Sequence, residues 1–147
     1  MVAEAKTYVW TAALLCGCIV QGQVSEPRIG NLIVSEARAR ATPPGISVGV
    51  VYFSITNRGA ASDRLVSVST PIARRVEIHE SRFEHGVAEM RELSSVDCPP
   101  GATVHAAPGA LHVMLIGLAA PLVIGTEFTV SLKFRDAGPL TLKVPIV

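Results

Sequence analysis

Four side chains with soft or borderline donor atoms alternate along the second half of the chain: His79, Met90, His112 and Met114. Thioether sulfur favours Cu(I), whereas imidazole accepts copper in either oxidation state and hard cations prefer oxygen ligands. Each residue also has an ordinary explanation, because methionines fill gaps in cores and histidines occur on solvated strands. Taken together, the four residue types indicate a copper site of two imidazoles and two thioethers.

The second His-Met pair is separated by a single residue. If this segment is a β-strand, His112 and Met114 project from the same face, because side chains alternate along a strand. Leu111, Val113 and Leu115 then project from the opposite face, which we expect to pack into the core.

The first His-Met pair lies in a predicted hairpin. A turn centred on Glu84-His85 would place His79 directly opposite Met90, with the two Cβ atoms about 5 Å apart. Val76 and Ile78 would form the apolar face of the first strand, and both candidate ligands would lie on its more polar face.

The rest of the chain predicts an all-β fold in a single domain. Short segments rich in Val, Ile and Leu alternate with turn residues, and no segment has sustained helical periodicity. So many short strands suggest a Greek-key sandwich or barrel. The predicted strands are Leu32–Ala39, Ser47–Thr56, Asp63–Val68, Arg75–His79, Val87–Leu93, Thr103–Ala106, His112–Leu118, Glu127–Phe134 and Leu140–Pro145.

Composition and the absence of catalytic motifs argue against several classes of function. The chain has 147 residues, 49% of them hydrophobic, which is incompatible with an intrinsically disordered protein. Its net charge of +1 and the absence of a basic block argue against nucleic-acid binding. We find no Ser-His-Asp order and no HExxH motif, so we do not expect an enzyme.

The N-terminus predicts export. Lys6 precedes an apolar run, Tyr8–Val20, that is short for a membrane span, so residues 1–22 are interpreted as a signal peptide. The mature copper-binding domain would then comprise residues 23–147 and be periplasmic. Leu15–Cys18 also resembles a lipoprotein processing box, which would leave Cys18 lipidated and the protein anchored to the membrane.

The remaining cysteine and histidines are interpreted as structural. With Cys16 and Cys18 in the leader, Cys98 is alone in the mature domain and cannot form an internal disulfide. We expect Cys98 to be a buried loop thiol. His85 and His105 lie in or near predicted turns, and we expect both to be surface residues.

The spacing His79-x10-Met90-x21-His112-x-Met114 resembles the signature of the periplasmic copper chaperone family PCu(A)C. The resemblance implies a cupredoxin-like β fold and Cu(I) bound near the surface by these four residues. It also implies delivery of copper to a partner, either the CuA centre in cytochrome c oxidase subunit II or a thioredoxin-like assembly factor. Further similarity extends over Ala39–Gly45, Tyr52–Gly59, Asp63–Glu80 and His112–Leu118.

Two other functions remain open, and one feature departs from some members of that family. Some members carry a His- and Met-rich C-terminal tail that can hold additional copper, whereas this sequence ends in Pro145-Ile146-Val147, so we expect a single copper site. We also expect a monomer. An electron-transfer cupredoxin would need a compact Cys-His-Met arrangement, but Cys98 precedes His105 by seven positions and Met114 by sixteen. An exported β-sandwich without metal would also account for the strands.

Overall fold

The computed structural model describes residues 25–147, which form eleven β-strands. The predicted leader, residues 1–22, lies outside the described residues, as do Cys16 and Cys18. Within the described residues no helix is long and apolar enough to cross a membrane. The strands are β1 (Arg28–Ile29), β2 (Leu32–Ala39), β3 (Val48–Asn57), β4 (Asp63–Ser69), β5 (Ala73–Glu84), β6 (Val87–Leu93), β7 (Val96–Cys98), β8 (Thr103–His105), β9 (Leu111–Leu118), β10 (Glu127–Phe134) and β11 (Gly138–Pro145).

The strands form two antiparallel sheets. The larger sheet has seven strands in the order β1-β2-β3-β9-β5-β6, with β8 also paired to β3. The smaller sheet has four strands in the order β11-β10-β4-β7. The predicted all-β sandwich is therefore confirmed.

Every predicted strand is present, and β2, β6 and β10 have the predicted bounds. Two short strands, β1 and β7, were not predicted because segments of two and three residues are too brief to show an alternating pattern. Strand β5 continues five residues beyond the predicted end at His79, because it pairs with β6 as far as Glu84.

The core lies between the two sheets and is built from alternating positions. Phe53, Val113 and Leu115 project inward from the larger sheet, and each is at most 2% exposed. Leu132 and Phe134 project from the smaller sheet to meet them. The predicted apolar face of β9 is thus confirmed, and His112 and Met114 lie on the outer face of the larger sheet.

The Asp63 carboxylate stabilises one end of the smaller sheet. Its oxygens accept hydrogen bonds from the backbone amides of Arg64, Asp136 and Ala137, at 2.7 to 3.0 Å. Burial alone would raise the pKa of Asp63, but these hydrogen bonds, with the nearby positive charge of Arg135, hold it below its ordinary value. The ionised carboxylate therefore joins β4 to the β10–β11 turn.

Candidate metal centre

Two histidines lie side by side on the outer face of the larger sheet. His79 on β5 and His112 on β9 are direct cross-strand partners. Their ring centroids are 5.8 Å apart and the ring planes are inclined by 72°. His112 is 7% exposed, and the side chain of His79 is 14% exposed. Strand pairing thus brings together two candidate ligands that are 33 residues apart in the sequence.

The orientation of His112 is set by the backbone. Its Nδ1 lies 3.0 Å from the carbonyl oxygen of Ala110, which also accepts a hydrogen bond from the amide of Ser81. A carbonyl oxygen only accepts, so Nδ1 of His112 is the donor. In a neutral imidazole this leaves Nε2 with the lone pair that a metal would need.

The orientation of His79 is set by a carboxylate. Its Nε2 lies 2.8 Å from Oε2 of Glu77, and the other oxygen of Glu77 lies 2.7 Å from Nε of Arg75. Nδ1 of His79 is buried and has no hydrogen-bond partner. An unsatisfied buried nitrogen is costly, and a metal ion would supply the missing partner. The donor atoms present therefore fit a metal ion held by both imidazoles.

Met114 completes the central part of the site. It lies between Val50 on β3 and Glu77 on β5, and its side chain is partly buried. Strand alternation places it on the same outer face as His112, as the sequence predicts. The two imidazoles thus form one cross-strand pair, and the thioether belongs to the next pair on the same face, opposite Glu77.

The predicted direct pairing of His79 with Met90 is wrong. The turn is centred on His85-Gly86, whose φ angles of 52° and 80° suit a tight two-residue turn. Shifting the turn centre by one residue moves each cross-strand partner by two, so Met90 pairs with Ser81 and His79 pairs with Glu92.

Met90 nevertheless remains on the same face as His79, because a shift of two residues preserves the alternation of side chains. The two residues are diagonal neighbours on β5 and β6, with a typical separation of about 7–8 Å that long side chains can span. Met90 is 59% exposed. The hairpin therefore carries a potential fourth ligand at the solvent-exposed edge of the sheet.

The donor chemistry of this face is soft. Among residues 25–147, no group of three His, Cys, Asp or Glu side chains is arranged to hold a metal ion. The candidate ligands instead combine two imidazole nitrogens with the thioethers of Met114 and Met90. Such a combination suits Cu(I) better than Zn(II), which prefers thiolate, imidazole and carboxylate ligands.

The remaining histidines lie outside this set. His85 is exposed in the β5–β6 turn, and His105 is exposed on β8, where its Nδ1 lies 2.9 Å from Oγ of Ser54. The expectation of two surface histidines is confirmed, although His105 belongs to a short strand.

Cys98 is buried, as predicted, but the expectation that it lies in a loop is wrong. It ends strand β7 of the smaller sheet, is 1% exposed, and forms no disulfide. Burial raises the pKa of its thiol. The thiol therefore belongs to the core of the smaller sheet, whereas the candidate ligands occupy the outer face of the larger one.

Glu77 and Arg75 are the residues of this site that sequence reasoning did not single out. Both lie at alternate positions before His79, which places all three on one face of β5. That alternation was visible in the sequence, but it could not indicate that the Glu77 carboxylate contacts the His79 ring.

The chain is similar to known proteins, in sequence and in structure, over most of its length. The chain is 31% identical over 137 residues to "Putative lipoprotein Lxx21020" of Leifsonia xyli subsp. xyli, covering 90% of this chain and 81% of that protein. It resembles the solved structure of the apo PCuAC domain from PmoF1, with 26% identity, a TM-score of 0.71, and coverage of 83% and 98% of the two chains.

A second solved structure, Cu(I)-DR1885 from Deinococcus radiodurans, is 27% identical with a TM-score of 0.61, and the similarity covers 77% of each chain. The model of one protein family also matches residues 32–146, which includes every strand from β2 to β11. By this match and its relative in Leifsonia, the chain belongs to the family described as "Putative lipoprotein LpqE-like".

Proposed function

We propose that this protein is a copper chaperone that binds one Cu(I) ion through His79, Met90, His112 and Met114 and passes it to another protein. The observation that supports this most strongly is the pair of adjacent imidazoles, each held by a hydrogen bond that leaves one ring nitrogen free. Met114 lies on the same face, beside them, and adds a donor that favours Cu(I).

The comparisons support the same proposal. One similar structure is a PCuAC domain, and another is named as a Cu(I) form. The names of the family and of the relative in Leifsonia contain the word lipoprotein. These names support our proposal that the chaperone is exported, either to the periplasm after removal of residues 1–22 or anchored to the membrane through a lipid on Cys18.

Transfer by such a site requires ligand exchange and no acid, base or nucleophile. Met90 lies on an exposed edge hairpin, so a donor from a partner can replace its thioether first. His79, His112 and Met114 lie on paired central strands and would retain the ion until further partner ligands bind. The recipients we propose are the CuA domain of oxidase subunit II and a thioredoxin-like assembly factor.

Competition with a Cu(I)-specific chelator tests binding. We expect one Cu(I) per chain and much weaker binding of Zn(II), because two thioethers offer little to a borderline cation. Replacing the exposed histidines of the same chain, His85→Ala and His105→Ala, provides matched controls that should leave the affinity unchanged. Two or more ions per chain, or a preference for zinc, would count against the proposed site.

Addition of a recipient to the loaded protein tests delivery. We expect Cu(I) to move to the soluble domain of oxidase subunit II or to the thioredoxin-like factor, measured after the proteins are separated. Retention of the ion in the presence of both recipients contradicts the chaperone role. An intense blue absorption band with Cu(II) would instead favour an electron carrier, which we do not expect because Cys98 is buried in the other sheet.

A further inference from the structure

We propose that Glu77 is a positioning residue that selects Nδ1 of His79 as the copper-binding atom, an inference that rests on the proposed function. A neutral imidazole carries its proton on one nitrogen and a lone pair on the other. Nε2 of His79 lies 2.8 Å from Oε2 of Glu77, and an ionised carboxylate can only accept. Nε2 therefore carries the proton, and Nδ1 retains the lone pair with which it can bind a metal.

The buried state of Nδ1 supports this assignment. Nδ1 of His79 has no partner in the protein, whereas Nε2 is fully engaged. Without the carboxylate, the proton could move to Nδ1, which would remove the lone pair that Nδ1 needs to bind a metal. Carboxylates that accept from a ligating imidazole also make the ring a stronger donor. Glu77 therefore acts on copper through His79 rather than by direct contact.

Glu77 is also a neighbour of Met114 on the sheet, and Arg75 occupies its second carboxylate oxygen. Glu77 is the direct cross-strand partner of Met114, and its side chain is 12% exposed. Both of its oxygens are occupied, one by His79 and the other by Nε of Arg75 at 2.7 Å. A free carboxylate here would add an oxygen donor, which Zn(II) accepts readily. Arg75 thus helps to keep the site selective for a soft cation.

Nitrogen-15 NMR of the imidazoles in the metal-free protein, in mildly alkaline buffer, tests the positioning role. In the unaltered chain we expect His79 with its proton on Nε2. Glu77→Gln preserves size, but an amide can donate as well as accept, so we expect a mixture of the two tautomers. Cu(I) affinity should fall by about 10- to 100-fold, the usual cost of losing a carboxylate behind a ligating histidine.

Glu92→Gln is the matched control. Glu92 is exposed on β6 and is also a direct cross-strand partner of His79, so the substitution makes the same change of charge beside the same ring. We expect it to change neither the tautomer nor the affinity appreciably. An unchanged tautomer in Glu77→Gln, or an equal loss of affinity in both variants, overturns the role of Glu77.

The two readouts separate this inference from the function on which it rests. If the unaltered chain binds no Cu(I), the proposed function is wrong, whatever tautomer His79 adopts. If the chain binds Cu(I) and Glu77→Gln leaves the tautomer unchanged, only the positioning role is wrong. Backbone amide spectra of both variants verify that the sheet remains folded.

Arg75→Gln tests the proposed role of Arg75 in the selectivity of the site for a soft cation. Because Arg75 is 67% exposed, its ion pair with Glu77 is weak, and we expect Zn(II) affinity to rise by about two- to fivefold, equivalent to 1 kcal/mol at most. The tautomer of His79 should persist, since its contact with Glu77 is retained. Unchanged Zn(II) affinity contradicts the role of Arg75 in selectivity.

Discussion

The centre of the larger sheet and its β5–β6 edge contribute to the same candidate site in different ways. At the centre, β9 lies between β3 and β5, and His112 and Met114 are enclosed by strands on both sides. At the edge, β6 has one neighbouring strand, and six of its seven residues, including Met90, are exposed. The centre is thus paired on both sides and partly desolvated, whereas the edge is open to solvent.

In the proposed function, this difference distinguishes the ligands that retain the metal from the ligand that a partner can replace. Ligands on central strands are positioned before the metal binds, which reduces the cost of ordering them. A ligand on an exposed edge strand can be displaced without disturbing the core. A site that combines ligands on central strands with a ligand on an edge strand can bind an ion tightly and still release it to a partner protein.

The largest effect is expected from damage to the inner face of the central strand. Val113 is 1% exposed, so Val113→Asp would bury an unpaired carboxylate and cost about 3–5 kcal/mol of the free energy of unfolding. Urea denaturation measures the loss. Val123→Asp makes the same change at a residue that is 59% exposed and should be nearly neutral. Equal stability of the two variants would contradict the inward orientation of Val113.

Replacing Met114 by Leu should affect the outer face of the same strand without damaging the fold. The two side chains have similar volumes, so unfolding should change by no more than about 1.5 kcal/mol. Loss of the thioether should weaken Cu(I) binding more than tenfold, because the remaining central ligands are two imidazoles. Chelator competition measures the affinity. Binding as tight as in the unaltered chain would remove Met114 from the site.

Asp63→Asn should alter stability while leaving the copper site intact, because Asp63 belongs to the smaller sheet. Loss of a charged acceptor that binds three amides should cost about 1–3 kcal/mol at neutral pH. Since folding lowers the pKa of Asp63, this contribution is present above the unfolded value, about 3.9, and is lost as the pH falls through the folded value.

The stability of the unaltered chain and of Asp63→Asn should therefore converge below about pH 4, as measured by denaturation across the pH range. Asp97→Asn is the control, because this carboxylate is 70% exposed and forms only a surface ion pair with Arg64. A constant difference between Asp63→Asn and the unaltered chain at every pH would show that ionisation of Asp63 is not the cause.

The smallest effect is expected from Met90→Leu. Most of the Met90 side chain is exposed, so the free energy of unfolding should change by less than about 0.5 kcal/mol. Cu(I) affinity should fall less than in Met114→Leu, because the three central ligands remain. Transfer to a recipient should become faster, as measured by stopped-flow mixing. An affinity loss larger than that of Met114→Leu would reverse the ranking of centre and edge.

The sequence predicted those features of the fold that depend on local alternation. The two faces of β9 follow from a period of two, which needs no knowledge of distant segments, and the structure has the predicted pattern at Val113 and Leu115. The register of the β5–β6 hairpin depended instead on the conformation of two residues. His85 adopts a positive φ, which is uncommon outside glycine, so the turn centre was misplaced by one position.

Long-range pairing could not be derived from local patterns. The adjacency of His79 and His112 requires β9 to lie between β3 and β5, a strand order that no segment encodes by itself. The hydrogen bond between Glu77 and His79 also depends on side-chain rotamers. The four candidate ligands could be chosen from residue types and spacing, whereas the groups that orient them became visible only in the structure.

The exposure of Met90 also affects its sensitivity to oxidation. A thioether in contact with solvent is the first to be converted to the sulfoxide by peroxide, whereas Met114 is shielded by strands on either side. Mild oxidation would then remove the edge donor alone, and methionine sulfoxide reductase would restore it. The same openness that allows a partner to approach thus makes this residue a target for reversible oxidative damage.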